Sequence, residues 1–393
     1  MHPLRWCNFC PPPTANAPVV WKQPNPTKII LASESVQTLS QKIENSKADN
    51  LNLIRLFLAI TVIFSHAFPL SLGSDKEEPL HIWTNDITFG ALAVYSFFFI
   101  SGFLITGSWQ RSKSFLDYLL KRVLRIYPAF IMALLSSAVL IWVCCPEFKN
   151  FILSHHQTGD WLKLIGHDAA LLRSESISDI NAFAHNPRPG LTNASLWTIP
   201  IEFSCYLAVM IAGFCRVLRS RWLVLILTGL GYEFCIMGLR QYNDFYDQFY
   251  LCFSFGALAW LWKDKIPFSS RWAAAGLTVL VLTSHFRPLF SIAFPVAGGY
   301  CLLWLAYGPN LPLAKWTSET DLSYGTYLYG CPIQQVLISY MTTSTILKLP
   351  FVNFIATVPV ALAIAFISWT VIEKPCLSLK RFGFHRQRPT GLI

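Results

Sequence analysis

Residues 51–72 read LNLIRLFLAITVIFSHAFPLSL and form the first long apolar run of the chain. Arg55 and His66 are the only ionisable side chains within this run. Because a helix rises about 1.5 Å per residue, roughly 20 apolar residues cross the hydrocarbon core of a bilayer. The run therefore predicts a transmembrane helix that carries two polar groups into the membrane.

Nine further segments have a similar apolar character. They cover residues 85–107, 126–145, 196–215, 222–239, 246–262, 272–286, 288–307, 322–345 and 350–372. The seventh and eighth segments meet at Phe286-Arg287-Pro288, so nine or eleven spans are alternatives. Every backbone polar group must be satisfied inside a bilayer, which favours helices. We predict an all-α integral membrane protein, a bundle of about ten transmembrane helices.

The composition and the charge distribution support this class. Apolar residues make up 53% of the chain and charged residues only 13%, about half the share usual for soluble domains. The net charge of +10 is spread over short clusters between apolar runs, which argues against a nucleic-acid partner. With the N-terminus inside and ten spans, 23 of the 31 Lys and Arg residues fall on the inner side. We therefore expect a multi-pass protein of the cell inner membrane with both termini cytoplasmic, and the loop 146–195 outside.

The chain divides into three parts. Residues 1–50 are polar and proline-rich and lack the apolar stretch of a signal peptide, so we expect a flexible N-terminal extension. Residues 51–376 form the transmembrane domain, and residues 377–393 form a cytoplasmic tail. Cys7 and Cys10 make a CxxC without a second pair, so no metal site is expected.

The two polar residues of the first span lie on one face of the helix. Arg55 and His66 are eleven residues apart, which places them within about 20° of each other and roughly 16 Å apart along the axis. Polar side chains in a membrane usually face the bundle interior or a hydrated cavity. The alternatives are that Arg55 extends to the lipid headgroups and that His66 makes an interhelical hydrogen bond.

Two other regions carry charged side chains of interest. Arg122 and Arg125 are three residues apart and share a helix face at the membrane surface, where guanidinium groups can bind phosphates. The alternative for this pair is that the two charges only keep this end of the helix on the cytoplasmic side of the membrane. Glu202 lies about two turns inside an apolar helix, with Tyr206 one turn further on the same face. An intramembrane carboxylate is a candidate functional residue, or else the partner of a buried cation.

The ninth segment carries polar and aromatic side chains, among them Tyr324 and Tyr327, over three turns. This pattern indicates a cavity wall better than a lipid-facing surface. In the second segment, the small residues Ser101 and Gly102 allow close helix packing, which is as plausible a role as a functional one.

The order of these motifs along the chain resembles that of the membrane-bound acyltransferase 3 family, and the resemblance covers about residues 51–376. The matching motifs are Arg-x10-His at Arg55 and His66, Ser-Gly-Phe at Ser101, Arg-x-x-Arg at Arg122, Ser-Leu-Trp…Glu…Tyr from Ser195 to Tyr206, and Ser-Tyr-Gly-x-Tyr-Leu-Tyr from Ser323, followed by Glu-Lys-Pro at Glu373. The chain departs from the family pattern at Phe203, where many members have a second Glu, and at Cys331, where many have His.

The resemblance implies an O-acyltransferase without a bound cofactor. It would move an acyl group, commonly acetyl, from cytoplasmic acyl-CoA to a hydroxyl of a carbohydrate or lipid-linked glycan. The Trp-Thr-Ile-Pro-Ile-Glu version of the fourth helix is most similar to members that modify exopolysaccharides. Some members carry a fused esterase-like domain, and here we expect any such step to need a separate periplasmic partner.

The resemblance also implies roles for the residues identified above. His66 would be the general base, and Glu202 would orient His66 or bind the sugar. The CoA phosphates would be steered by Arg55, Arg122 and Arg125. The side chains expected to contact the substrates are Tyr206, Tyr324 and Tyr327.

Two other functions remain as alternatives. A secondary transporter of a lipid or sugar would explain the number of spans and the intramembrane charges, but not the ordered motifs. A scaffolding membrane protein would tolerate changes at Arg55 and His66. Release of free CoA thiol separates an acyltransferase from a transporter.

Overall fold

The computed structural model describes residues 37–46, 50–155, 157–174, 177, 182–239, 244–340 and 349–381. In these ranges the regular secondary structure is helical, without a β-strand. The predicted extension, residues 1–50, and the predicted tail, residues 377–393, lie largely outside the described residues. The helices are α1 (Leu39–Asn45), α2 (Leu51–Leu72), α3 (Pro79–Thr84), α4 (Phe89–Gln110), α5 (Phe115–Cys144), α6 (Pro146–Ser154), α7 (Thr158–Leu171), α8 (Thr198–Phe214), α9 (Arg221–Leu239), α10 (Asp244–Leu261), α11 (Ser270–Thr283), α12 (Arg287–Ala293), α13 (Gly299–Tyr307), α14 (Ala314–Glu319), α15 (Ser323–Tyr340), α16 (Pro350–Ser368) and α17 (Lys374–Ser378).

Five helical stretches among the described residues are long and apolar enough to cross a membrane. They are Leu51–Leu72, Phe89–Gln110, Phe115–Cys144, Arg287–Tyr307 and Pro350–Ser378. The apolar helices α8 and α11 are shorter, with 17 and 14 residues. The class of all-helical membrane protein is confirmed. All ten predicted segments overlap a helix, but length and composition support five of them as spans.

Large apolar side chains are exposed along several helices. Examples are Ile226 and Leu230 on α9, Leu282 on α11, and Ile355 and Ile367 on α16. Soluble proteins rarely expose so much contiguous apolar surface, whereas lipid covers it in a membrane protein.

Two predicted regions contain more helix than their apolar pattern shows. Helix α5 begins at Phe115, eleven residues before the predicted span at 126, and its first turns carry the basic residues that precede that span. There Lys121 Nζ binds Asp117 Oδ2 at 2.7 Å, one turn away. The predicted loop 146–195 contains the helices α6 and α7, and α7 packs on α5 through the stacked rings of Trp142 and Trp161.

The core of the bundle consists of α2, α4, α10, α15 and α16. Helices α4 and α10 make the closest contact, at Gly102 and Gly256. A Cβ atom on Gly102 would collide with the Phe253 carbonyl, and one on Gly256 would collide with the Phe99 carbonyl. The interpretation of this segment as a close packing site is confirmed for Gly102.

Helix α15 lies between α2 and α16 and is buried from Ser323 to Pro332. Its polar side chains bond to neighbouring helices, as the amide of Gln334 shows. Gln334 Nε2 donates to the Ile63 carbonyl and to Asn353 Oδ1, each at 2.9 Å. The polar face of the ninth segment therefore faces the bundle interior, as predicted.

Candidate active site

Asp321, two residues before α15, lies between two guanidinium groups. Arg55 Nη1 and Arg125 Nη2 are 2.8 Å and 2.6 Å from the same oxygen, Oδ2. The hydroxyl of Ser323 donates to the other oxygen at 2.6 Å. Burial alone would raise the pKa of Asp321, but Arg125, Arg55 and the Ser323 hydrogen bonds hold it well below its usual range. The ionised carboxylate thus fixes both arginines in place.

A second carboxylate lies on the other side of Arg125. Glu373 Oε2 is 3.7 Å from Arg125 Nη1, and Ser368 Oγ donates to Glu373 Oε1 at 3.3 Å. Glu373 is 2% exposed, so the carboxylate of the Glu-Lys-Pro motif is buried beside Arg125 and not at a solvent-exposed helix end. Both carboxylates were missed as site residues because charges at the ends of apolar segments are common. Two of the three predicted phosphate-steering arginines are therefore paired with carboxylates.

Arg122 has a different environment from Arg125. Its guanidinium lies over the rings of Tyr118 and Tyr206, at 5.8 Å and 5.9 Å from their centroids, and donates to Ser108 Oγ. Within the described part of the chain, Arg122 forms no ion pair with a carboxylate. Burial, together with Arg122, Arg125 and Lys121, lowers the pKa of Lys380 to about 8. Arg122 and Lys380 thus retain positive charge in a shared region.

Glu202 joins α8 to α4. It accepts hydrogen bonds from Ser101 Oγ, at 2.8 Å, and from the Tyr206 hydroxyl. With these neighbours it lines a small cavity of about 50 Å³, which we call the inner cavity. The inner cavity has room for a few water molecules. Its lining residues are Arg55, Val94, Phe97, Phe98, Arg125, Ile126, Thr198, Ile199, Glu202, Tyr206, Ser323, Tyr324 and Tyr327.

His66 lines a second cavity of about 170 Å³, here called the outer cavity. This cavity extends to Asp75 and Thr88, in the connection between α2 and α4. The His66 side chain is half-buried, and no described residue makes a hydrogen bond to its imidazole. Both ring nitrogens therefore remain available to a ligand in the cavity.

The two cavities share three lining residues, Val94, Thr198 and Tyr327. Thr198 Oγ1 and the Tyr327 hydroxyl are 2.8 Å apart and hydrogen-bonded, so this pair forms a polar wall between the cavities. The partition therefore includes a polar side-chain contact between α8 and α15.

The structure brings together six of the eight predicted site residues in the inner cavity. They are Arg55, Arg125, Glu202, Tyr206, Tyr324 and Tyr327. His66 lies in the adjoining outer cavity, and Arg122 lies behind Tyr206. Glu202 is not among the residues lining the outer cavity, so the predicted contact between Glu202 and His66 is absent from this structure.

Comparison with known proteins supports the family that the sequence motifs resemble. A sequence model described as an acyltransferase domain matches residues 49–370. Nodulation protein 10 of Rhizobium leguminosarum bv. viciae is 28% identical over 375 residues, covering 87% of this chain and 96% of the relative. The O-acetyl transferase of Shigella phage Sf6 is 24% identical over 349 residues, covering 84% and 97%. No solved structure matches the chain. Because the matched region contains the whole helical bundle around both cavities, the chain belongs to the membrane-bound acyltransferase 3 family and is an acyltransferase that transfers groups other than amino-acyl groups.

Proposed function

We propose that the protein is an O-acyltransferase that moves an acyl group, first of all acetyl, from cytoplasmic acyl-CoA to a hydroxyl of an exported carbohydrate. The acceptor would be an exopolysaccharide or a lipid-linked glycan. The similarity to a protein named O-acetyl transferase supports the ester chemistry. The observation that carries the proposal is the pair of adjoining cavities, one with the arginines and one with His66.

The charge asymmetry supports an orientation in the inner membrane with both termini cytoplasmic and about ten spans. The inner cavity then lies toward the cytoplasm, and the outer cavity lies toward the periplasm. Acyl-CoA would enter from the side of Arg122 and Lys380, and the glycan would enter past Asp75 and Thr88. A separate periplasmic partner could receive the product, and membrane lipids would surround the apolar helices.

The length of the donor fits this arrangement. A pantetheine arm has about as many chain bonds as four residues, so it extends over roughly 14 Å. Arg55 and His66 are about 16 Å apart along α2. The inner cavity is too small for the arm as it stands, so we expect Thr198 and Tyr327 to separate when the donor enters.

We assign the chemistry as follows. His66 takes the proton of the acceptor hydroxyl as the oxygen attacks the thioester carbonyl. The hydroxyls of Thr198 and Tyr327 donate hydrogen bonds to the oxyanion of the tetrahedral intermediate. The carbon–sulfur bond then breaks, and the CoA thiolate leaves and receives the proton from His66. Glu202 positions Tyr206 and Ser101 along the path, and Asp321 holds Arg55 and Arg125.

The test is the variant His66→Ala, compared with His167→Ala, which changes an exposed histidine of α7. Membrane vesicles that contain each variant are supplied with acetyl-CoA and isolated surface polysaccharide. We expect His66→Ala to lose release of CoA thiol and ester-linked acetyl by at least about a hundredfold, the lower range for removal of a general base. His167→Ala should match the wild type. Normal transfer by His66→Ala would refute the assignment, and solute uptake without thiol release would support a transporter.

A further inference from the structure

A third cavity, of about 930 Å³, lies where α4 and α8 end and α5 and α9 begin. Its volume falls in the range of sites that bind small ligands. We call it the basic cavity because four cationic side chains line it. These are Lys113, Arg216, Arg219 and Arg221, and the other lining residues are Trp109, Gln110, Ser112, Ser114, Phe115, Gly213, Phe214, Leu218 and Leu261.

The positive charge of the basic cavity is not cancelled by neighbouring carboxylates. Over the described ranges, none of the four cationic side chains has a carboxylate oxygen within 4 Å. Asp117, on the first turn of α5, is bound to Lys121 Nζ at 2.7 Å and to the backbone N–H of Lys113 at 3.0 Å. The cavity therefore attracts an anion that carries more than one negative charge.

The helix dipoles at the cavity offset one another. The first residues of α5 and α9, Phe115 and Arg221, line the cavity and carry partial positive charge, but α4 and α8 end there with partial negative charge. The four cationic side chains therefore set the positive field. After α8, Arg216 has a φ of 63°, the left-handed conformation common just past the end of a helix.

The basic cavity is connected by direct contacts to the proposed reaction path. The ring of Trp109 packs edge-on against Tyr118, with centroids 5.3 Å apart. The Tyr118 hydroxyl donates to the Tyr206 carbonyl at 2.9 Å, and its ring lies under Arg122. Along α8, Gly213 of the basic cavity is eleven residues, about 16 Å, from Glu202 and fifteen residues, about 22 Å, from Thr198. A pantetheine arm of roughly 14 Å therefore reaches Thr198 when the diphosphate of the donor lies on the Arg122 side of the basic cavity, between the adenosine and the arm.

We propose that the basic cavity binds the 3′-phosphoadenosine end of the acyl donor, with its phosphate on Lys113, Arg216, Arg219 and Arg221. The inference rests on the proposed function because it takes acyl-CoA as the donor. The inference assigns different roles to two groups of cationic side chains. Arg55 and Arg125, already paired with Asp321, shape the inner cavity, whereas the unpaired cations hold the phosphates. Anionic lipid headgroups offer the same phosphate chemistry, and the test below separates the two sources.

The experiment measures equilibrium binding to the purified full-length protein in an uncharged detergent. The probes are CoA, adenosine 3′,5′-bisphosphate and S-acetyl-pantetheine, which lacks the nucleotide. The double variant Arg219→Gln/Arg221→Gln is compared with Arg271→Gln, an exposed arginine of α11 outside the basic cavity. We expect the double variant to bind CoA and the bisphosphate about tenfold or more weakly, and S-acetyl-pantetheine as the wild type does. Arg271→Gln should stay within about twofold.

The outcomes distinguish this inference from the proposed function. If the wild type binds no CoA, the donor in the proposed function is wrong. If the wild type binds CoA and the double variant binds it equally well, the basic cavity is not the nucleotide site and the inference alone is refuted. A double variant that binds the bisphosphate normally but retains less phosphatidylglycerol through purification would also refute it, in favour of a lipid headgroup. Unchanged S-acetyl-pantetheine binding shows that the variant is folded.

Discussion

Among single residues, Asp321 holds two side chains of the inner cavity, Arg55 and Arg125, in place. The change Asp321→Asn would leave Arg55 and Arg125 buried with one fewer negative charge, and both side chains are at most 20% exposed. Removing one partner of a buried ion pair costs about 3–5 kcal/mol. We expect the variant to unfold at a lower temperature in detergent and to lose acyl transfer. Asp160→Asn, which breaks an exposed pair with Lys163, should change neither property.

The stability that Asp321 contributes should fall at acid pH. The pKa of Asp321 in the folded protein is below its usual range, because Arg125 and Arg55 outweigh the effect of burial. The ionised Asp321 therefore contributes fully to stability above its pKa in the unfolded chain, about 3.9. This contribution is lost as the pH falls through the lower pKa that Asp321 has in the folded protein. The stability difference between wild type and Asp321→Asn should therefore shrink as the pH falls below about 4. A difference that stays the same on acidification to about pH 2 would contradict the ionised pairing of Asp321.

At the scale of elements, the contact between α4 and α10 fixes the turn of α4 that carries Ser101, the residue that donates to Glu202. A Cβ atom on Gly102 would collide with the backbone of α10, so Gly102→Ala forces the two helices apart. Overpacking of this kind costs about 1–3 kcal/mol. We expect lower thermal stability and reduced transfer. Gly229→Ala is the matched control, because nothing lies within 4 Å of its Cβ position on α9 and alanine favours a helix. Equal behaviour of the two variants would contradict this role of the contact.

Elements and site residues differed in how well the sequence predicted them. The bounds of α2 were predicted correctly because its apolar run coincides with the helix, whereas α5 extends beyond its apolar part. Ionisable residues inside apolar runs, such as His66 and Glu202, are conspicuous in the sequence. Asp321 is not conspicuous in the sequence, because its role depends on an ion pair with Arg55, which is 266 positions away in the chain. Only tertiary packing shows that pairing.

At the scale of the whole molecule, the proposed function requires that the two cavities open to opposite sides of the membrane. The donor is cytoplasmic and the acceptor is outside, so a reversed orientation would place His66 on the wrong side. The positive-inside rule places α7 outside and the start of α11 inside. Asp160 and Arg271 are exposed residues of these two helices and serve as reporters.

The orientation can be measured with single cysteines in a variant without its own eleven Cys residues. We expect a membrane-impermeant maleimide to label Asp160→Cys in intact cells and to label Arg271→Cys only after the cells are permeabilised. Each cysteine is the control for the other, because both positions are exposed and only the side of the membrane differs. The reverse pattern would put the basic cavity on the periplasmic side, away from cytoplasmic CoA. Because CoA reaches the protein only from the cytoplasm, that result would exclude the proposed donor path even if the variants retained transfer.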